Sequence, residues 1–137
     1  LYAEQLALEA GLAPDPYYEL GILQSEIFRA VRLVVDTGIH YKKWTRDEAI
    51  AYMKAKTGMS DTECRVEIER YIVWPGQALS YKVGMIKILE LRQKAMDALG
   101  DKFSIKDFHS AILDHGIPPL FIVEQKVDEM IEEALNS

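Results

Sequence analysis

Residues 45–63 read TRDEAIAYMKAKTGMSDTE. The stretch opens and closes on one signature, a hydroxyl residue followed three positions later by glutamate. Thr45 with Glu48, and Ser60 with Glu63, have the spacing of a capping box. In that arrangement the hydroxyl accepts from the N–H of the third helical residue, and the glutamate reaches back to the N–H of the cap. Donors left orphaned at a helix start are thereby satisfied. Gly58 suits the residue that ends a helix. The stretch therefore predicts one helix from Thr45 to about Gly58 and another from Ser60 to about Val73.

Working outward, Pro14 and Pro16 part a first helix, ending at Gly11, from a second expected over about Tyr18 to Thr37. Leu20, Leu23, Ile27, Val31, Val34 and Val35 recur at helical steps as one apolar stripe, and Gly38 is read as the stop. Arg29, Arg32 and Asp36 fall together on that helix, as a solvated face with an ion pair worth about 0.2–0.5 kcal/mol. Downstream, Pro75 is expected in the first turn of a helix reaching Leu99, with Leu79, Val83, Ile86 and Leu89 toward the core. Ser104 to Asp107 caps a helix that ends by Gly116. Pro118 and Pro119 open the last one, with Val123, Val127, Met130 and Ile131 in step. YIVW (71–74) is β-prone, but it closes a capped helix. The expected fold is all-α, an irregular bundle of about seven helices in one domain, 1–137.

Composition narrows the function. A net charge of −6 argues against a nucleic-acid partner, because such surfaces concentrate Lys and Arg. No apolar run is long enough to span a bilayer. Cys64 is the single cysteine, so no internal disulfide forms, and an inert buried thiol is expected. There is no HExxH, CxxC or Gly-rich phosphate loop, and His40, His109 and His115 are scattered, so no metal ligand set is predicted. LYAEQLALEAG starts without a cap and reads as a helix already under way. The chain is accordingly expected to be a C-terminal piece of a longer polypeptide.

One face carries candidate chemistry. Gln77, Tyr81 and Gly84 are spaced i, i+4, i+7. Glycine inside a helix costs about 1 kcal/mol against alanine, so a close approach is expected at Gly84. A phenol beside such a gap can donate to a developing oxyanion. The same spacing also suits a tyrosine packed on a crossing helix with its hydroxyl on a carbonyl. His40, after VVDTG, either caps the carbonyl end of its own helix or serves a site.

Several segments together resemble the bacterial family catalogued as domain of unknown function 885: LYAEQLALEAGL, FRAVRLVVDTGIHYKKWTRDEAIAYM, RYIVWPGQALSYKVGMIKILELR and FHSAILDHGIPPL. That family is similar to the helical HExxH zinc peptidases, the gluzincins. The resemblance implies the C-terminal half of a larger metallopeptidase-like fold. Zinc would be held upstream of Leu1, with Glu4 a carboxylate behind the ligands and none of the ligands in this chain. It implies Tyr81, then His40, as oxyanion stabilisers, with Arg70, Gln77 and Lys82 toward a peptide-like substrate. The implied partner is the missing N-terminal part of the same protein, and the implied place is the bacterial cell envelope or the cytoplasm. The chain alone is expected neither to hold zinc tightly nor to cleave peptides. The alternative is a non-catalytic helical module that self-associates as a homodimer through exposed apolar surface.

Overall fold

The computed structural model describes residues 1–136, and among them are seven α-helices and no strand. They are α1 (Tyr2–Glu9), α2 (Pro16–His40), α3 (Arg46–Thr57), α4 (Asp61–Val73), α5 (Ser80–Leu99), α6 (Ile105–Leu113) and α7 (Leu120–Asn136). Short 3₁₀ turns at Gln77–Leu79 and Gly100–Lys102 flank α5. Contacts gather into two compact units, residues 1–85 and 86–137.

In the first unit both capping boxes form. Thr45 N donates to Glu48 Oε2 at 2.7 Å while Thr45 Oγ1 accepts from Glu48 N at 3.2 Å. Ser60 and Glu63 do the same at 3.0 and 3.3 Å. Between the boxes Gly58 adopts φ +69°, a left-handed conformation that glycine takes without steric cost. The two caps fix where α3 and α4 begin, and so which faces turn inward. Ala49, Ile50 and Met53 of α3 and Cys64, Ile68 and Tyr71 of α4 meet Val31 and Val35 of α2, with Ala78 closing the cluster. Burial pushes the Cys64 thiol up, as an inert core cysteine requires.

In the second unit Leu91, Ala95 and Leu99 of α5 are buried, as are Phe108 of α6 and Val123, Val127 and Ile131 of α7. Lys87 pairs with Glu124 at 3.0 Å and Lys94 with Asp128 at 2.6 Å, linking α5 to α7. Ser104 caps α6 by accepting from Asp107 N.

The structure departs from the sequence reading at several places. Gly38 is not a stop: α2 runs on to His40, and Gly38 lies buried beneath the Trp44 ring. The chain turns after α2 and folds back, with Trp44 N bonded to Gly38 O at 2.9 Å. A Cβ on Gly38 would lie 2.5 Å from Trp44 Cε3, so only glycine fits. Pro75 precedes α5 rather than opening it. Gly76, at φ +81°, makes the turn, and a 3₁₀ turn intervenes. Along α5, Val83 and Ile86 are exposed, against expectation, and Met85, Leu91, Ala95 and Leu99 are buried. The apolar stripe of α2 is buried only at Val31 and Val35; Leu20, Leu23, Ile27 and Val34 are exposed.

Candidate functional site

The polar centre of the first unit is built on Arg32, and it corrects the solvated-face reading of α2. Arg32 is only 1% exposed and Asp36 only 3%. The two turn to different partners. Asp36 accepts the Gly76 N–H at 3.0 Å and so ties the glycine turn before α5 to α2. Arg32 Nη2 donates to Gln77 Oε1 at 2.9 Å, and Arg70 Nη1 reaches the same oxygen at 3.1 Å. Arg70 Nη2 also donates to Glu67 Oε2 at 2.6 Å, and the Tyr71 hydroxyl donates to that same carboxylate oxygen.

Aromatic faces hold the guanidinium groups. Arg32 Cζ lies 5.3 Å from the Tyr71 ring centroid and 4.8 Å from that of Tyr81. Arg29 Cζ lies 4.3 Å from the Tyr81 centroid and 5.1 Å from that of Phe28. Such contacts are worth about 0.5–1 kcal/mol when exposed and up to about 2 when desolvated. They bind the cations without neutralising them.

The electrostatics follow from this crowding. Burial pushes the Arg32 guanidinium down; Arg29 and Arg70 add to that, and Tyr71 and Glu67 oppose it. Burial pushes the Tyr71 phenol well up, and its bond to Glu67 acts in the same direction. For Glu67 burial opposes the charge, but the bonds from Tyr71 and Arg70 outweigh it and hold the carboxyl below the usual range. Glu67 is thus a fixed anion among cations.

The candidates from the sequence fall into separate groups. Tyr81, Gln77 and Arg70 are gathered around Arg32. Gln77 and Arg70 are held by internal bonds, whereas Tyr81 is 46% exposed and its hydroxyl has no hydrogen-bond partner among the described residues. Apart from its chain neighbours and the backbone of its own helix, no atom of the described residues lies within 4 Å of a Cβ added at Gly84, so the close approach expected there does not come from them. Lys82 is paired with Glu26 at 2.6 Å. His40 Nε2 bonds Tyr71 O at 3.0 Å, capping α4 rather than its own helix. It lies eight residues beyond Arg32, about 12 Å along α2. Glu4 is on α1, 3.3 Å from the Leu1 amino group.

The sequence reading missed the inward turn of Arg32. A signal was present: Phe28, Val31 and Val35 surround it at helical steps, and Arg70, Tyr71 and Gln77 supply partners downstream. Among the described residues no group of three or more His, Cys, Asp or Glu side chains could hold a metal ion. The described residues therefore offer no set that would hold zinc. An open cleft of about 480 Å³ between α6 and α7 is lined by Asp107, Asp114, His115 and Glu129 among others, and contains none of the candidates above.

Fold and site together define an all-α protein with an arginine-rich polar centre behind a half-exposed tyrosine. The chain belongs to the DUF885 family of bacterial proteins of unknown function, whose family model matches residues 1–127. It is similar to a crystal structure described as "the putative lipoprotein from Colwellia psychrerythraea", at 50% identity and a TM-score of 0.94. The match covers 96% of this chain and 23% of that one, so the chain spans about a quarter of that structure's length. No curated protein matches the chain. No helix among the described residues is long and apolar enough to cross a membrane.

Proposed function

We propose that the chain is the C-terminal helical part of a longer peptide hydrolase, in which Tyr81 donates a hydrogen bond to the oxyanion of the tetrahedral intermediate. One observation carries this reading: Tyr81 is half-exposed and its hydroxyl has no hydrogen-bond partner among the described residues, while its ring is held over Arg29 and Arg32. A donor fixed in advance needs no reorganisation when charge develops, and the nearby cations favour that charge. Arg70 and Gln77 position the ring by holding Arg32 behind it. His40 ranks below Tyr81 because its Nε2 is engaged by Tyr71 O. Lys82 is held by Glu26. The length ratio to the similar lipoprotein structure supports a longer polypeptide, and the zinc implied by the family resemblance would be held in its other part, near Glu4.

The test is Tyr81→Phe in the full-length polypeptide assayed on peptides. Loss of one oxyanion donor lowers kcat and kcat/KM together by about 10²–10³. Full activity in Tyr81→Phe, with activity lost in His40→Ala, would transfer the role to His40.

The second reading, a self-associating module, draws on the exposed apolar residues of α2, among them Leu23 at 52%. Sedimentation of the 137-residue chain decides it. A dimer that Leu23→Glu dissociates favours this reading, and a monomer at high concentration removes it.

A further inference from the structure

Arg29, expected on a solvated face of α2, has unusual surroundings. It is half-buried and touches the rings of Phe28 and Tyr81, but it has no carboxylate partner among the described residues. The acids that could neutralise it are engaged elsewhere: Glu26 by Lys82, Glu67 by Arg70 and Tyr71, and Asp36 by Gly76 N. Of the three guanidinium groups Arg29, Arg32 and Arg70, only Arg70 is in an ion pair with a carboxylate among the described residues, that of Glu67. Arg32 behind them is 1% exposed, and its Nε has no hydrogen-bond partner. Buried cations are ordinarily paired, so the cluster carries positive charge that the described residues leave unbalanced.

We propose that Arg29, backed by Arg32 and beside the Tyr81 hydroxyl, anchors the carboxylate of a ligand. A planar guanidinium fork matches the two coplanar oxygens of a carboxylate. No carboxylate of the described residues takes up the Arg29 N–H groups, and the Tyr81 hydroxyl, on the ring whose centroid lies 4.3 Å from Arg29 Cζ, is a further donor. Since Arg32 is enclosed, one accessible fork suits a monoanion better than a phosphate, which usually gathers several cations or backbone amides. The inference rests on the proposed function only in naming the ligand as substrate; it makes that substrate a peptide with a free carboxylate beside the reacting carbonyl.

The experiment uses the isotopically labelled 137-residue chain. N-acetyl-alanyl-alanine, its C-terminal amide and inorganic phosphate are titrated separately, and the Arg29 Nε–Hε and Tyr81 ring resonances are followed. The acid should move both signals saturably, with the amide at least about ten-fold weaker because the charge-assisted pair is lost. Arg29→Gln should abolish the response. Should that variant unfold, Arg29→Lys, which keeps the charge and loses the fork, must weaken the acid's binding. Equal responses to acid and amide, tighter binding of phosphate, no response at all, or an undiminished response in the Arg29 variants would each overturn the proposal. The readout is binding by this chain alone, so it can fail while Tyr81 keeps its catalytic effect, and the reverse.

Discussion

The C-terminal half of α2 and the first turns of α5 each carry a glycine inside a helix, in opposite surroundings. Gly38 is buried, with the Trp44 ring where a Cβ would go; Gly84 has nothing within 4 Å of that position. The same division holds for their polar neighbours. Arg32 and Asp36 are enclosed and bonded, whereas Tyr81 is half-exposed with a free hydroxyl. The buried end of α2 is specified by partners inside the chain. At the start of α5 the Tyr81 hydroxyl and the space beside Gly84 have no such partner among the described residues, and that difference directs the functional reading to Tyr81.

The largest effect should come from breaking the buried side. Arg32→Ala removes a large enclosed side chain and the Gln77 contact, for a loss of about 2–5 kcal/mol in chemical denaturation. Arg32→Met keeps most of the volume and relieves the crowding with Arg29 and Arg70, so it should lose less than about 1.5 kcal/mol. If Met is as damaging as Ala, the hydrogen bonds matter more than the packing. Gly38→Ala comes next. The added Cβ forces the Trp44 ring away, an overpacking cost of about 1–3 kcal/mol that is partly offset by helix propensity. Thermal unfolding should show a lower midpoint; an unchanged or raised one would mean that Trp44 yields without cost.

A smaller effect tests the turn that carries Trp44. Thr45→Ala removes the cap of α3 and should cost about 1 kcal/mol. It should also change the acid response. The Glu48 carboxyl is held below its ordinary range, first by the Thr45 N–H and then by the Thr45 hydroxyl. A carboxyl depressed in the folded state contributes stability above its unfolded value, and that contribution is lost as pH falls through the folded one. The difference between wild type and Thr45→Ala should therefore shrink as pH drops below about 4. A constant difference across that range would show that the Thr45 hydroxyl does not stabilise the Glu48 carboxylate.

These contrasts also mark what was legible in the sequence. The capping boxes at Thr45 and Ser60 were readable because each depends on groups three residues apart, and both form as expected. The all-α class follows from such local signals. Gly38 and Arg32 were misread because their meaning depends on residues brought back by the fold: Trp44 after a turn, Arg70, Tyr71 and Gln77 from α4 and beyond. Helical periodicity finds a stripe but does not say how much of it is covered, so Leu20 and Leu23 looked like Val31 and Val35. Of the residues named from the sequence, Tyr81, Arg70 and Gln77 come together around Arg32, whereas Lys82 is paired with Glu26 and His40 with the Tyr71 carbonyl. That Arg29 and Arg32 join them required coordinates, since a helix reading alone put those cations in water.

The smallest effect has the opposite sign and is the sharpest check on the comparison. Gly84 sits in α5 with ordinary helical backbone and open space at the Cβ position. Gly84→Ala in the 137-residue chain should stabilise it by about 0.5–1 kcal/mol, because alanine loses less backbone entropy on folding and meets no obstacle. A loss of stability would show that the helix needs glycine there for a reason internal to this chain, and the contrast with Gly38 would collapse. The same substitution in the full-length polypeptide separates two explanations of the glycine. Lower activity with the stability gain retained means that substrate or another part of the polypeptide approaches Gly84, one turn after Tyr81. Unchanged activity means that the space at Gly84 serves no approach, and leaves Tyr81 to stand on its free hydroxyl and its guanidinium neighbours alone.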